Sequence, residues 1–236
     1  EEYANILLGV RVLVLISDLD GTLLNVQDRF YHAQVNGLAR LGYTVSVDQV
    51  APNMKYAMQV ENTFLNAIGI SLSDDDLRRY FAFVEEEFYK GWQHSFVFPN
   101  VIEALQLVQS RVGAVRLITS RAWIEETRQE VKAFGLDRIF NEHVYTRGDL
   151  AVAEGVDQVP LYPFLNHRRR LIQLAIVDID SPDEVWVMGD SPSEMEAAHG
   201  LGYTTVGVLT GFSSAEDLAP FSTHILDSVA DISTLL

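Results

Sequence analysis

The sequence contains no cysteine. Disulfide bonds, thiolate catalysis and cysteine-ligated zinc are therefore excluded. Positive charge is also scarce, because 17 Lys and Arg stand against 33 Asp and Glu and give a formal net charge of -16 at pH 7. Such a charge repels phosphate backbones and anionic lipid headgroups, so we expect neither a nucleic acid nor a membrane as partner.

Long apolar runs are missing as well. The longest, residues 6–16, is interrupted by Gly9 and Arg11 and is shorter than the about 20 residues that a membrane-spanning helix needs. It also lacks the basic flank and small-residue cleavage site of a signal peptide. We therefore expect a soluble, cytoplasmic protein, and its 236 residues with 48% hydrophobic content are enough for a large folded core.

The most informative stretch is the apolar run of residues 12–16, which ends in Ser17, Asp18, Leu19, Asp20 and Gly21. Such a run is typical of a buried parallel strand that ends in a loop. The two carboxylates lie two positions apart and start on the same side of the strand. They would repel each other unless a cation lies between them or one of them is protonated. The alternative is a strand that simply ends in an acidic turn, where Asp-Gly is common.

Two further predicted strands end in polar residues. Residues 115–118 run into Thr119, Ser120 and Arg121, and residues 184–188 run into Gly189 and Asp190. Strands alternating with helices predict right-handed crossovers and a doubly wound parallel sheet, in which ligands bind beyond the carboxyl ends of the strands. Together these ends predict a site with carboxylates for a hard cation, and with a hydroxyl and a guanidinium for an anion.

The predicted fold class is α/β, a Rossmann-like core with an inserted all-helical cap. The core comprises residues 1–25 and 99–236, and residues 26–98 form the cap, with no convincing strand and apolar residues at helical spacing. Within the cap the pattern predicts helices near residues 30–41, 47–60 and 64–68 and a fourth that begins at Ser73. In the core, residues 147–166 are poorly patterned and predict a long loop, followed by a helix over residues 168–177.

Three segments carry a family resemblance. They resemble the first, second and fourth motifs of the haloacid dehalogenase superfamily of hydrolases, and they are Asp18-Leu19-Asp20-Gly21-Thr22-Leu23, Leu117-Ile118-Thr119 and Gly189-Asp190-Ser191. Their order and spacing are similar to the subgroup with a helical cap between the first and second motifs, as in phosphoglycolate phosphatase-like enzymes. The resemblance implies a Mg²⁺-dependent phosphatase that hydrolyses a small phosphorylated metabolite through an aspartyl-phosphate intermediate. It says nothing of the oligomeric state.

The resemblance also implies roles for individual residues. Asp18 would be the nucleophile, and Asp20 would protonate the leaving group and then activate water. Asp18, the backbone carbonyl of Asp20, and Asp190 would hold Mg²⁺. Thr119 would bind the phosphoryl oxygens, with Ser120 beside it as a further candidate. The presence of Asp20 argues against the dehalogenase branch, which lacks the second aspartate.

The sequence departs from the family in its third motif, where the family has a lysine. The three lysines here are Lys55, Lys90 and Lys132, and none lies near residue 165, where the motif is expected. We expect Arg121, His167 or Arg168 to supply the missing charge, because arginine also binds phosphate well. The alternative is that residues 168–170 are an exposed helix start.

The fourth motif departs too, with Glu194 where the family often has a second aspartate. Glu194 is either part of the metal shell or the last member of a capping box that begins at Ser191.

These departures leave two other functions open. One is a member of the fold with weakened catalysis that serves as a binding or regulatory module. The other is a phosphomutase, which uses the same aspartates. Metal-dependent turnover of a generic aryl phosphate distinguishes the enzyme from the binding module.

Overall fold

The computed structural model describes residues 13–54, 63–161, 164–179 and 184–236. Within them, a six-stranded parallel sheet has the order β5-β4-β1-β6-β7-β8, and β2 and β3 form a separate antiparallel pair. The strands are β1 (Leu13–Ser17), β2 (Leu24–Asn25), β3 (Phe96–Val97), β4 (Ala114–Thr119), β5 (Val144–Thr146), β6 (Glu184–Gly189), β7 (Thr204–Val208) and β8 (His224–Leu226).

Helices lie between most of these strands, as the alternating pattern predicts. The described α-helices are α1 (Gln27–Arg40), α2 (Val47–Val50), α3 (Thr63–Ala67), α4 (Asp74–Lys90), α5 (Val101–Gln109), α6 (Ile124–Ala133), α7 (Asp137–Phe140), α8 (Arg147–Glu154), α9 (Phe164–Leu174), α10 (Pro192–His199) and α11 (Ala215–Leu218). Short 3₁₀ helices cover Ala51–Asn53, Trp92–His94 and Val229–Leu235. None of the helices described is long and apolar enough to cross a membrane.

Strand β1 is the centre of the sheet and pairs in parallel with β4 on one side and β6 on the other. Its side chains alternate between two apolar clusters, with Leu15 in one and Val14 and Ile16 in the other. Burial on both faces explains why the strand is a continuous apolar run rather than an alternating one. The predicted α/β class and doubly wound parallel sheet are confirmed.

The segment between β1 and β4 has a core of its own, as its helical spacing predicts. Helix α1 packs along α4, and a cluster that includes Leu38, Phe64, Leu77 and Tyr80 is buried between the helices. Helix α4 begins as predicted, because the Ser73 hydroxyl accepts a hydrogen bond from the Asp76 N–H. The boundaries of a separate cap domain stay a prediction.

Some local predictions differ from the structure. The expected loop over residues 147–166 is wrong in part, because α8 occupies its first half. Helix α8 has clear signals at its ends: Thr146 and Asp149 form a capping box, and Gly155 ends the helix in the left-handed region at φ 67°. Strands β2 and β3 were not expected either, since each is two residues long.

Two predicted helices have different bounds. Helix α2 covers Val47–Val50 and a 3₁₀ helix follows over Ala51–Asn53, whereas residues 55–60 of the predicted helix lie outside the described residues. Helix α9 begins at Phe164 and ends at Leu174, before the predicted end at residue 177.

Candidate active site

The carboxyl ends of β1, β4 and β6 converge, as the sequence predicts. The Asp18 N–H donates to the Met188 carbonyl at 2.9 Å, and Thr22 Oγ1 donates to Asp190 Oδ1 at 3.2 Å. A cavity of about 480 Å³ opens at this edge. Six of the predicted site residues line it, namely Asp18, Asp20, Thr119, Ser120, Arg121 and Arg168.

Arg168 lies between two buried carboxylates. Its Nη1 is 3.1 Å from Asp18 Oδ1 and 2.9 Å from Glu194 Oε1. Burial lowers the pKa of Arg168, but the contacts with Asp18 and Glu194 outweigh it and raise the pKa above its ordinary value. Arg168 is 4% exposed, so residues 168–170 are not simply an exposed helix start. Arg170 does face solvent and pairs with Glu154.

His167 is also buried, but it is not a cation at neutral pH. Burial and the nearby charges of Arg168 and Arg147 lower its pKa to about 2. Its Nε2 lies 2.7 Å from Ser120 Oγ, so the pair shares a hydrogen bond. Of the two candidates next to each other in sequence, the one that can balance negative charge is therefore Arg168.

Arg121 binds the second aspartate. Its Nε donates to Asp20 Oδ2 at 2.8 Å and its Nη2 to Asp20 Oδ1 at 2.7 Å. It also pairs with Glu130, where Nη2 donates to Oε1 at 3.0 Å. Burial lowers the pKa of Arg121, but Asp20 and Glu130 together raise it above its ordinary value. Arg121 therefore stays charged and fixes the orientation of Asp20.

The ion-pair chain continues through residues that the sequence pattern does not single out. Arg29, which is fully buried on α1, donates from Nη1 to Glu130 Oε1 at 2.5 Å and from Nε to the Phe88 carbonyl at 2.5 Å. Glu130 on α6 therefore joins two arginines. A glutamate beside Val131, on the apolar side of an amphipathic helix, was the available signal.

A second pair missed from the sequence is Arg147 and Glu85, which both line the cavity. Arg147 donates from Nη2 to Glu85 Oε1 at 2.8 Å, from Nε to the Ser120 carbonyl at 2.9 Å and from Nη1 to the Val159 carbonyl at 2.6 Å. The pair connects α8 to α4 across the cavity. This ion pair could not be predicted, because the two residues are far apart in sequence and the pattern over residues 147–166 predicts a loop.

Negative charge is concentrated around Asp18. Burial and the charge of Asp18 raise the pKa of Asp190 to about 7, and the same two causes raise the pKa of Glu194 well above its ordinary value. Burial also raises the pKa of Asp18, and Arg168 opposes that shift. Three clustered carboxylates beside one guanidinium favour the arrival of a further cation.

The residues present fit a hard cation. Asp18 Oδ1 is buried and forms an ion pair with Arg168 Nη1 at 3.1 Å that lacks hydrogen-bond geometry, and carboxylate and carbonyl oxygens are the ligands that Mg²⁺ prefers. Asp190 lies against two glycines, since a Cβ at Gly21 or Gly211 would overlap its Oδ2. No group of three or more His, Cys, Asp or Glu side chains suited to a metal occurs in the described parts of the chain. The implied ligand set needs only two side chains, with the Asp20 carbonyl as the third ligand.

Glu194 takes part in the N-terminal cap of α10 through its backbone only. Its N–H donates to Ser191 Oγ at 3.3 Å, which is the N-cap bond of α10. Its carboxylate accepts from Arg168 at 2.9 Å instead of completing a capping box. A Cβ at Gly189 would overlap Glu194 Oε2, so the glycine before Asp190 makes room for this carboxylate.

Comparison with known proteins was made on sequence and on structure. A family model described as haloacid dehalogenase-like hydrolase matches residues 15–208, and no curated protein matches the chain. Similar solved structures include a haloacid dehalogenase-like family hydrolase from Streptococcus pneumoniae (18% identity, TM-score 0.75, covering 95% of this chain and 98% of that one). They also include a hydrolase from Pseudomonas syringae (21%, 0.68, 94% and 97%) and a predicted phosphoglycolate phosphatase from Haemophilus somnus (20%, 0.69, 94% and 96%).

Proposed function

The chain belongs to the haloacid dehalogenase-like hydrolases, and from that premise we propose that it is a Mg²⁺-dependent phosphatase acting on a small phosphorylated metabolite in the cytoplasm. The observation that carries the proposal is the placement of Asp18 and Asp20 in one cavity with Thr119, Ser120 and Arg168. A nucleophile, a proton donor and phosphate-binding groups then face the same bound group. Phosphoric monoester hydrolysis uses all of them.

In the first step, an Asp18 carboxylate oxygen attacks phosphorus and the bond to the ester oxygen breaks. Asp20 donates its proton to the departing oxygen, so that an alcohol leaves and an aspartyl-phosphate remains. In the second step, Asp20 takes a proton from water, whose oxygen attacks phosphorus. Inorganic phosphate leaves and the Asp18 carboxylate is restored.

The surrounding residues position these groups. Arg121 donates a hydrogen bond to each oxygen of Asp20, which fixes the orientation of the carboxyl group that transfers the proton. Thr119 and Ser120 at the end of β4 line the cavity and would bind phosphoryl oxygens. Arg168 supplies the positive charge beside Asp18 that lets an anionic nucleophile and an anionic phosphate approach each other.

Asp18, Asp190 and the Asp20 carbonyl would hold Mg²⁺. When bound, the ion neutralises charge on the phosphate and polarises its oxygens. Glu194, already bound to Arg168, would act around the ion only indirectly.

The test is release of inorganic phosphate from a panel of phosphomonoesters, with and without Mg²⁺. We expect turnover that requires Mg²⁺ and that Asp18→Asn abolishes. Asp28→Asn, a matched change at an exposed aspartate on α1, should retain full activity. A folded protein that binds Mg²⁺ but releases no phosphate from any ester would favour the binding or regulatory module instead.

A further inference from the structure

The cavity extends well beyond the reacting groups. On the side of α1 and α4 it is lined by Phe30, Phe81, Val84 and Phe88, and Tyr89 lines it as well. Its volume of about 480 Å³ lies within the roughly 300–1,000 Å³ of typical small-molecule pockets. A phosphoryl group at Asp18 fills only one end, so the remainder is available to the leaving group.

Four aromatic rings lie in that remaining wall, beside the polar side chains of Gln34, Glu85 and Gln158. The rings of Phe30 and Phe88 pack with centroids 4.6 Å apart, and Tyr89 stacks on Trp123 at 4.3 Å, nearly parallel. These contacts hold the rings in fixed orientations. A fixed apolar wall favours an apolar ligand, and a planar ring gains most because offset or edge contacts with phenylalanine are favourable.

The buried cations in the described lining already have partners. Arg121 is paired with Asp20 and Glu130, and Arg147 with Glu85 and two carbonyl oxygens. Binding a second anionic group there would require breaking a buried ion pair, which is costly.

Arg78 differs, since 71% of its side chain is exposed and it pairs with Asp75. A charge so well solvated attracts an anion only weakly.

We propose that the substrate is a phosphate monoester of an uncharged alcohol that carries an aromatic or similarly bulky apolar group. The inference rests on the proposed phosphatase function and narrows its substrate class. A leaving group with a carboxylate or a second phosphate is disfavoured, because among the described residues it would lie against apolar rings and beside Glu85, and the buried arginines of that lining are already paired.

Binding of two phosphonates measures this preference without depending on turnover. Benzylphosphonate and 4-carboxybenzylphosphonate differ only in one carboxylate, and calorimetry in the presence of Mg²⁺ gives both dissociation constants. We expect benzylphosphonate to bind at least about tenfold more tightly. Equal binding, tighter binding of the carboxylated compound, or no binding of either overturns the inference.

Variants on α4 locate the preference in the cavity. Phe81→Ser should weaken benzylphosphonate binding about tenfold, whereas Phe83→Ser should not, since the Phe83 ring contacts Arg40 and does not line the cavity. Ala82 lines the cavity and is exposed, so Ala82→Lys should be tolerated by the fold. Relative to Ala82→Gln, it should tighten 4-carboxybenzylphosphonate binding severalfold and leave benzylphosphonate unchanged. If Ala82→Lys tightens neither, the cavity wall does not set the selectivity and the inference fails.

Phosphate release from the corresponding benzyl and 4-carboxybenzyl esters separates this inference from the proposed function. Turnover with a preference for the carboxylated ester overturns the substrate class and leaves the phosphatase proposal intact. No release from any ester overturns the phosphatase proposal, while the phosphonate ratio still decides what the cavity binds.

Discussion

Arg121 holds Asp20 through two parallel hydrogen bonds, from Nε to Oδ2 at 2.8 Å and from Nη2 to Oδ1 at 2.7 Å. The planar guanidinium therefore fixes the plane of the carboxyl group as well as its position. Arg121 is itself held by Glu130, and Glu130 is held by Arg29 on α1. The orientation of Asp20 thus depends on how α1 packs against α6.

Arg121→Lys should lower kcat because lysine cannot make the parallel pair of bonds to Asp20. If Asp20 is the proton donor, the loss should depend on the leaving group. We expect a loss of about 10- to 100-fold on an alkyl phosphate, within the range for general acid catalysis. The loss should be several times smaller on 4-nitrophenyl phosphate, whose oxygen needs little protonation.

The control for this variant is Arg128→Lys, at an arginine that is 43% exposed. It should leave kcat unchanged on both substrates. An equal loss on the two substrates in Arg121→Lys would show that Arg121 acts on binding or folding rather than on proton transfer.

Glu130→Gln should destabilise the protein strongly, because it leaves Arg29 and Arg121 short of a buried negative partner. Breaking a buried ion pair typically costs about 3–5 kcal/mol in the free energy of unfolding. Urea denaturation measures it, with Glu126→Gln on the exposed side of the same helix expected within about 0.5 kcal/mol of wild type. Similar midpoints for the two variants would contradict a structural role for this ion-pair chain.

The sequence predicted the sheet and the convergence of strand ends because both follow from local signals. Residues 13–16 are apolar on both faces of the strand, and Asp18 and Asp20 come shortly after them, so the strand and the acids that it carries are visible together. The partners of those acids are less visible. Arg121 and Arg168 were candidates by residue type and position. Glu130 lies nine positions from Arg121, whereas Arg29 reaches Glu130 only through tertiary packing across 101 positions. Helix α8 was not predicted because it has only 8 residues and its buried apolar side chains are Leu150 and Ala151 alone, too few to show a helical period.

Arg168→Ala should abolish most activity and also reduce stability, because it leaves Asp18 and Glu194 as buried carboxylates without their common cation. Arg168→Lys should retain more activity and more stability than Arg168→Ala, since the lysine ammonium keeps the positive charge but not the shape of the guanidinium. We expect kcat to fall at least about 100-fold in Arg168→Ala, in line with losses of other groups that stabilise charge in a transition state.

Arg170→Ala is the matched control for Arg168, because Arg170 is 39% exposed and pairs with Glu154 at the surface. It should change kcat little. Full activity in Arg168→Ala would rule out Arg168 as the charge that replaces the third-motif lysine. Arg121 would then be the remaining candidate.

Stability of the metal-free protein should fall as pH rises from about 5 to 8. The pKa of Asp190 is raised to about 7, and those of Asp18 and Glu194 are raised as well. Each of the three carboxyl groups therefore binds more protons in the folded protein than in the unfolded chain, and stability is lost as they ionise. His167, whose pKa is lowered to about 2, has the opposite effect below about pH 6.5, but it is one group against three. In EDTA we expect Tm at pH 8 to lie at least about 4 °C below Tm at pH 5.

Mg²⁺ should remove this pH dependence because it binds the ionised carboxylates and stabilises the folded state at pH 8. Asp190→Asn, which cannot ionise, should show a flatter dependence in EDTA and a smaller response to Mg²⁺. A Tm in EDTA that rises between pH 5 and pH 8 would contradict the raised pKa values of this cluster.

Gly211→Ala tests whether the glycines packed against the Asp190 carboxylate hold it in place, and it alters no charged residue. The backbone of Gly211 lies outside the left-handed region, so alanine causes no conformational strain, but its Cβ would overlap Asp190 Oδ2. The carboxylate must therefore move from its place beside Thr22 Oγ1. Displacing a metal ligand or a residue that supports it typically lowers metal affinity by about 10- to 100-fold. We therefore expect the Mg²⁺ concentration for half-maximal activity to rise by that factor.

At saturating Mg²⁺ the kcat of Gly211→Ala should largely recover, because Asp18 and Asp20 are unchanged. A kcat loss that excess Mg²⁺ does not relieve would show that Asp190 does more than hold the ion.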